Sequence, residues 1–138
     1  MFWDSSALVP LLIEEPRSAD ARRLLKGSPM LVSWLARVEV ASALTRLWRV
    51  RKTDEAGLQS DLAELATLAS CWVEVPPRDD LRQTAMRLLR EHPLRALDAL
   101  QLASAWFASE GRPDTLDFVC FDARLATAAQ REGFRVRT

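Results

Sequence analysis

Five short apolar runs constrain this chain more than any other feature of it. They are Phe2-Trp3, residues 29–33, Trp72–Val75, residues 118–121 and residues 134–136, each separated from the next by a longer stretch of helical periodicity. Runs this short and this apolar, broken by a charge only at Glu74 and Arg135, suit strands that are largely buried. Buried strands alternating with helices assemble into a parallel sheet with helices packed on either side. The expected fold class is therefore α/β: a three-layer α/β/α sandwich around a mainly parallel sheet of four or five short strands. With 138 residues and 49% hydrophobic content, residues 1–138 are expected to form a single domain.

The helical stretches can be bounded from their caps and breakers. Ser5 or Ser6 offers an N-cap for a helix over residues 7–15, with Pro10 close to its first turn. A second helix is expected over residues 18–26, stopped by Gly27, and a third over residues 35–51, striped by Val40, Leu44, Leu47 and Trp48. Thr53 suits the cap of a helix over residues 54–70, where Leu58, Leu62, Leu65 and Leu68 recur at helical spacing. Asp79 or Asp80 caps the next, which ends near Glu91 and is broken by His92-Pro93. Residues 94–109 and 123–131 complete the set, with a turn at residues 111–114 and Gly133 ending the last helix.

Composition removes several functions. Basic and acidic residues balance at 19 each, which disfavours wrapping duplex DNA by bulk charge but leaves room for an enzyme that touches a few phosphates. Lys26 and Lys52 are the only lysines, so the basic residues are otherwise arginine. Cys71 and Cys120 form no CxxC pair, which argues against a thiolate metal site and for a reducing compartment. His92 is the only histidine, which excludes HExxH chemistry, and beside Pro93 it is expected in a loop. No basic region precedes the first apolar run, so no signal peptide is expected. The longest charge-free stretch of the body, residues 99–109, is too short to span a bilayer. A soluble, cytoplasmic protein without membrane contact is the expectation.

Four acids stand out against this frame. Asp98 falls within the apolar stripe of residues 94–106, where an unpaired carboxylate is costly unless it meets a partner or a polar cleft. Asp4 and Asp122 fall at the carboxyl ends of expected strands, where parallel sheets bind their ligands. Glu39 has Ala36, Ser42 and Ala43 as its helical neighbours, a shallow small-residue face. Each acid also has an ordinary reading: Asp4 and Asp122 as helix caps, Asp98 as first-turn acid, Glu39 as solvated. Four converging carboxylates would repel one another and need a cation. An oxygen-only donor set selects a hard divalent ion, Mg²⁺ or Mn²⁺, and a metal-dependent phosphodiesterase follows from these residue types.

Four segments in order, FWDSSALVPLL, ARVEVASALTR, LRALDALQLASA and FVCFDARLATAAQREGF, together resemble PIN-domain ribonucleases, specifically the VapC-type toxins of bacterial type II toxin–antitoxin systems. The resemblance implies a compact sandwich with an acidic pocket, and it maps the family's acidic positions onto Asp4, Glu39, Asp98 and Asp122. Asp4 and Asp98 would be the principal metal ligands, with Glu39 and Asp122 completing the site, some through water. Where the family often has a serine or threonine two positions before the last acid, this chain has Cys120; Ser5 or Ser6 is then the expected polar support. The implied activity is Mg²⁺-dependent (or Mn²⁺-dependent) endonucleolytic hydrolysis of single-stranded RNA (tRNA, rRNA or mRNA), leaving a 5′-phosphate. The implied partner is a VapB-type antitoxin whose C-terminal segment lies along the first helices and sets a basic side chain in the pocket. A homodimer, and a larger assembly with antitoxin, are implied as well.

Arg46 lies two turns from Glu39 on the same helical face and is the candidate RNA phosphate contact, with a solvated helix end as the alternative. Trp34 and Trp48 suit core or subunit contacts as well as base stacking. A rival reading is a catalytically silent PIN-like module that binds protein or RNA. A receiver or haloacid-dehalogenase-like phosphatase fits poorly, because no DxD follows the first strand and no strand-end lysine completes a phosphate pocket.

Overall fold

The computed structural model describes residues 1–25, 29–51 and 55–138. Its five strands are β1 (Phe2–Trp3), β2 (Met30–Ser33), β3 (Trp72–Val75), β4 (Asp117–Val119) and β5 (Arg135–Arg137). They form one sheet in the order β3-β2-β1-β4-β5, and every neighbouring pair is parallel. Phe2 is registered with Leu31 on one side and with Phe118 on the other. The chain lays strands outward from β1 to β3, then returns across β1 to add β4 and β5. Strand order therefore reverses between β1 and β4, the place where parallel sheets open a ligand crevice.

Alternation along the central strands explains the three layers. Phe2 and Phe118 point to one face, where their rings stack 5.5 Å apart, while Trp3 and Val119 point to the other. The first face is covered by α5 (Asp79–Glu91), α6 (Ala96–Ala108) and α7 (Ala123–Arg131), through Leu81, Leu88, Leu102 and Leu125. The second is covered by α1 (Ser5–Leu12), α3 (Ala36–Arg51) and α4 (Glu55–Ala69), through Leu8, Val40, Leu44 and Leu65. The short α2 (Ser18–Leu24) links this layer back to β2. The expected sandwich is the observed one.

Several expected boundaries move, each for a local reason. The first helix starts at Ser5 rather than residue 7, because Asp4 is its cap: the Asp4 carboxylate accepts from the Ser6 amide at 2.9 Å, and Ser5 and Ser6 lie inside the first turn. The helix ends at Leu12, since Ile13 is extended, and Pro10 sits buried inside it. Arg78, not Asp79 or Asp80, is the residue at the cap of α5; both acids occupy its first turn, where they complement the helix dipole. α6 begins at Ala96, so Leu94 precedes the helix and Asp98 lies in the first turn rather than within the stripe. β4 ends at Val119 because the Phe121 amide leaves the ladder to donate to the Ser6 hydroxyl at 2.9 Å. β5 is shifted by one residue, to Arg135–Arg137, and both arginines pair with Asp117.

His92 follows the end of α5 in the expected loop, but it is not at the surface. It is buried at the C-terminus of α5, and its Nε2 lies 2.7 Å from the Glu132 carboxylate at the end of α7. Lys26, Gly27, Lys52, Thr53 and Asp54 fall outside the described residues. Among those described, no helix is long and apolar enough to cross a membrane.

Candidate active site

β1 and β4 end side by side at the reversal of strand order, and an acid follows each. Asp4 comes directly after Trp3 and is almost fully buried; the helix it caps fixes its direction. Asp122 follows the short extended segment after Val119 and caps α7, accepting from the amides of Arg124 and Leu125 at 2.9 Å each. Ser6 ties these two ends together, since its hydroxyl accepts from the amides of both Phe121 and Asp122. Capping, the ordinary reading of Asp4 and Asp122, is the observed one, and it holds each carboxylate at the sheet edge.

Asp98 reaches the same region from the start of α6, where its Oδ2 accepts from the Arg95 amide at 3.2 Å. It lines a cleft of about 320 Å³ with Asp122, Ala123, Arg95 and Arg124. Glu39 comes from the first turn of α3 and lines a second cleft with Ser5, Ser6, Ala43 and Arg46. Its small-residue neighbours therefore face a groove, not bulk solvent alone. Arg46 is exposed on the rim and has no ion pair among the described residues.

The hydrogen bonds are distributed unevenly over these carboxylates. Glu39 accepts through Oε2 alone, Asp98 through Oδ2 alone and Asp122 through Oδ1 alone. The other oxygen of each accepts from no group among the described residues. Asp4 is held more closely: its Oδ2 takes the Ser6 amide and the Cys120 thiol at 3.7 Å, and the Ser5 amide also favours its charged form.

Electrostatics show that the acids feel one another. Burial pushes the Asp4 carboxyl above its ordinary value; hydrogen bonds from Ser6 and Ser5 work against this, and the charge of Asp98 adds to it. Glu39 is raised in the same way, first by burial, with Ser5 and Gln101 opposing and with Asp4 and Asp98 both contributing repulsion. No one of the four acids is ion-paired among the described residues, whereas Glu14, Asp20, Asp79, Asp80, Glu91, Glu110, Asp117 and Glu132 all are. A carboxylate group of this kind, lacking any histidine or thiolate donor, fits a hard divalent cation. Cys120 is buried, and burial together with Asp4 raises its thiol far above the ordinary range, so it stays protonated and serves as a weak donor.

No three of Asp4, Glu39, Asp98 and Asp122 have ligand atoms within 4.8 Å of one another; among the described residues one group does, Glu91, His92 and Glu132. It lies at the far end of α7 from Asp122, and its cation is already present: Arg87 bonds Glu132 at 2.8 Å and Glu91 at 2.5 Å. It fastens α5 to α7.

Sequence reasoning missed two groups. Arg95 and Arg124 bring positive charge to the cleft wall beside Asp98 and Asp122. Gln101 is almost fully buried and donates to both Ser5 and Glu39. Its signal was present in the chain, as a polar residue three positions after Asp98 inside an apolar run.

An all-parallel five-stranded sheet with unpaired acids at its reversal point defines a class, and comparison with known proteins agrees. The chain belongs to the PIN domain family, whose model matches residues 1–131. Ribonuclease VapC45 of Mycobacterium tuberculosis is 34% identical over 137 residues, spanning 99% of this chain and 93% of the relative. Ribonuclease VapC47 of the same organism is 29% identical over 139 residues, spanning 97% and 93%.

Proposed function

We propose that this chain is a Mg²⁺-dependent (or Mn²⁺-dependent) endoribonuclease and the toxin of a toxin–antitoxin pair. The observation that carries the reading is four carboxylates at one edge of the sheet: Asp4, Glu39 and Asp98 repel one another, Asp98 shares a cleft with Asp122, and none is ion-paired among the described residues. Asp4 and Asp98 hold the ion, with Glu39 and Asp122 completing the site. A divalent ion there supplies Lewis acidity that activates water and offsets charge on the scissile phosphate.

The chain's own residues do the rest. Ser5, Ser6 and the Arg95 amide fix carboxylate orientation before substrate arrives, so little reorganisation is needed during reaction. Arg46, Arg95 and Arg124 flank the acids and suit bidentate contact with phosphates of a single strand. Water attacks phosphorus in line, the bond to the 3′-oxygen breaks, and the products carry a 5′-phosphate and a 3′-hydroxyl. Neutral net charge favours a flexible single strand of tRNA, rRNA or mRNA over duplex, because affinity then rests on a few contacts.

The partner is a VapB-type antitoxin whose basic side chain meets the same carboxylates, as a guanidinium complements clustered acids. A homodimer in the cytoplasm is the proposed resting form, supported by the exposed apolar side chains Trp34, Val38 and Leu97 beside the cleft. Expression in a bacterial host tests the pairing. The wild-type chain is expected to arrest growth, Asp4→Ala to be harmless at equal abundance, and a neighbouring small reading frame with a basic tail to relieve the arrest. Arrest by Asp4→Ala as strong as wild type contradicts the proposal.

A further inference from the structure

Gln101 is the buried polar group that the four-acid description leaves unused. Its side chain is 1% exposed on α6, one helical turn beyond Asp98. Its amide nitrogen donates to the Ser5 hydroxyl at 2.8 Å and to Oε2 of Glu39, while the Ser5 hydroxyl donates to the same Oε2 at 2.7 Å. Three helices, α1, α3 and α6, thus meet in a closed triangle whose two external donors converge on a single carboxylate oxygen. Both amide hydrogens and the hydroxyl hydrogen are consumed by it.

The amide is a poor choice for stability alone. Its own Oε1 is buried without a hydrogen-bond partner, a cost that an apolar side chain of similar size would avoid. The position lies in a helix otherwise buried through Ala99, Leu102, Ala103, Ser104 and Ala105, a mainly apolar face that such a side chain would fit. Burial and the neighbouring Asp4 and Asp98 disfavour the charge on Glu39, and donation from Ser5 and Gln101 only partly opposes them.

We propose that Gln101 is a positioning residue for the acidic site: with Ser5 it pins Oε2 of Glu39 and leaves Oε1 directed to the cleft as its coordinating atom. This rests on the reading of the acids as a divalent-metal site. Outer partners of this kind typically change metal affinity or activity by 10–100-fold when removed.

Mn²⁺ alone serves as the probe, titrated by electron paramagnetic resonance into wild type, Gln101→Met, Glu39→Gln and the double variant. Cleavage of a single-stranded oligoribonucleotide is followed in parallel. Gln101→Met is expected to weaken Mn²⁺ binding and lower kcat by about 10–100-fold, leaving KM for RNA and the melting temperature unchanged or the latter raised. In the Glu39→Gln background the same substitution is expected to have no further effect on Mn²⁺, because its route is through Glu39. Mn²⁺ binding by Gln101→Met indistinguishable from wild type overturns the inference, as do losses that add in the double variant. If Gln101→Met does not fold, Gln101→Leu carries the same comparison. A wild-type chain that binds no Mn²⁺ overturns the metal-site reading itself, and this inference with it.

Discussion

Asp4 shows how one side chain can serve the fold and oppose it. It caps α1, yet burial and the charge of Asp98 raise its carboxyl above the ordinary aspartate range of about 4. A folded-state value above the unfolded one means that the contribution to stability is full at low pH and is lost as pH rises through the folded value. Asp4 and Glu39 should therefore make the metal-free protein gain stability from them on mild acidification. Asparagine caps a helix as well as aspartate and carries no charge. Asp4→Asn is accordingly expected to melt at or above the wild-type temperature without metal, while cleavage falls at least about 100-fold, since it removes more than an outer partner. A calorimetric scan beside a cleavage assay checks both; a large loss of stability would mean that the charge of Asp4 supports the metal-free fold rather than opposing it. Glu132 has the opposite sign. Burial raises it, but Arg87 and His92 outweigh this, so its value is lowered and its contribution is lost as pH falls below the ordinary glutamate range.

At the scale of elements, the ends of helices and strands are set by side chains from elsewhere. The apolar runs predicted each strand and its place in the alternation; burial imprints composition directly in β1, β2 and β4, while the edge strands β3 and β5 are largely exposed and carry Glu74, Arg135 and Arg137. Their ends were less legible. Nothing local at Phe121 says that its amide will turn to Ser6, 115 residues earlier. The same holds for His92, whose burial depends on Glu132 and Arg87 arriving from α7 and α5. Ser6→Ala leaves the Phe121 and Asp122 amides without their acceptor and is expected to cost about 1–3 kcal/mol, with a loss of cleavage as Asp122 drifts. Denaturant unfolding measures the first, and an unchanged midpoint would remove Ser6 as the tie between α1 and β4. Gly133 has φ +97°, and an added Cβ would lie 3.2 Å from Pro113 Cγ. Gly133→Ala is expected to cost about 1–2 kcal/mol by the same measurement while leaving cleavage intact, because the strain sits at the opposite end of α7 from Asp122.

For the whole molecule, topology is what gathers the acids. Residues 4, 39, 98 and 122 are scattered over most of the chain, and only a sheet that reverses its order beside β1 brings their elements to one edge. Each acid was visible in the sequence, as was their combined preference for a hard cation. Gln101 was visible only as a polar residue in an apolar run; its role has no meaning until Glu39, its partner on α3, is known. If the acids are a metal site, then ion binding also relieves their repulsion. Saturating Mn²⁺ should raise the melting temperature on the order of 5 °C, an effect that Asp98→Asn should lose. The most direct test is cleavage of a single-stranded RNA by the purified chain with Mg²⁺ or Mn²⁺, set against excess EDTA and against Asp98→Asn, in which the Arg95 amide keeps an acceptor. The account predicts 5′-phosphorylated fragments in the first case and none in the other two. Cleavage that survives EDTA and Asp98→Asn, or a folded wild-type chain that cleaves with neither ion, would contradict it.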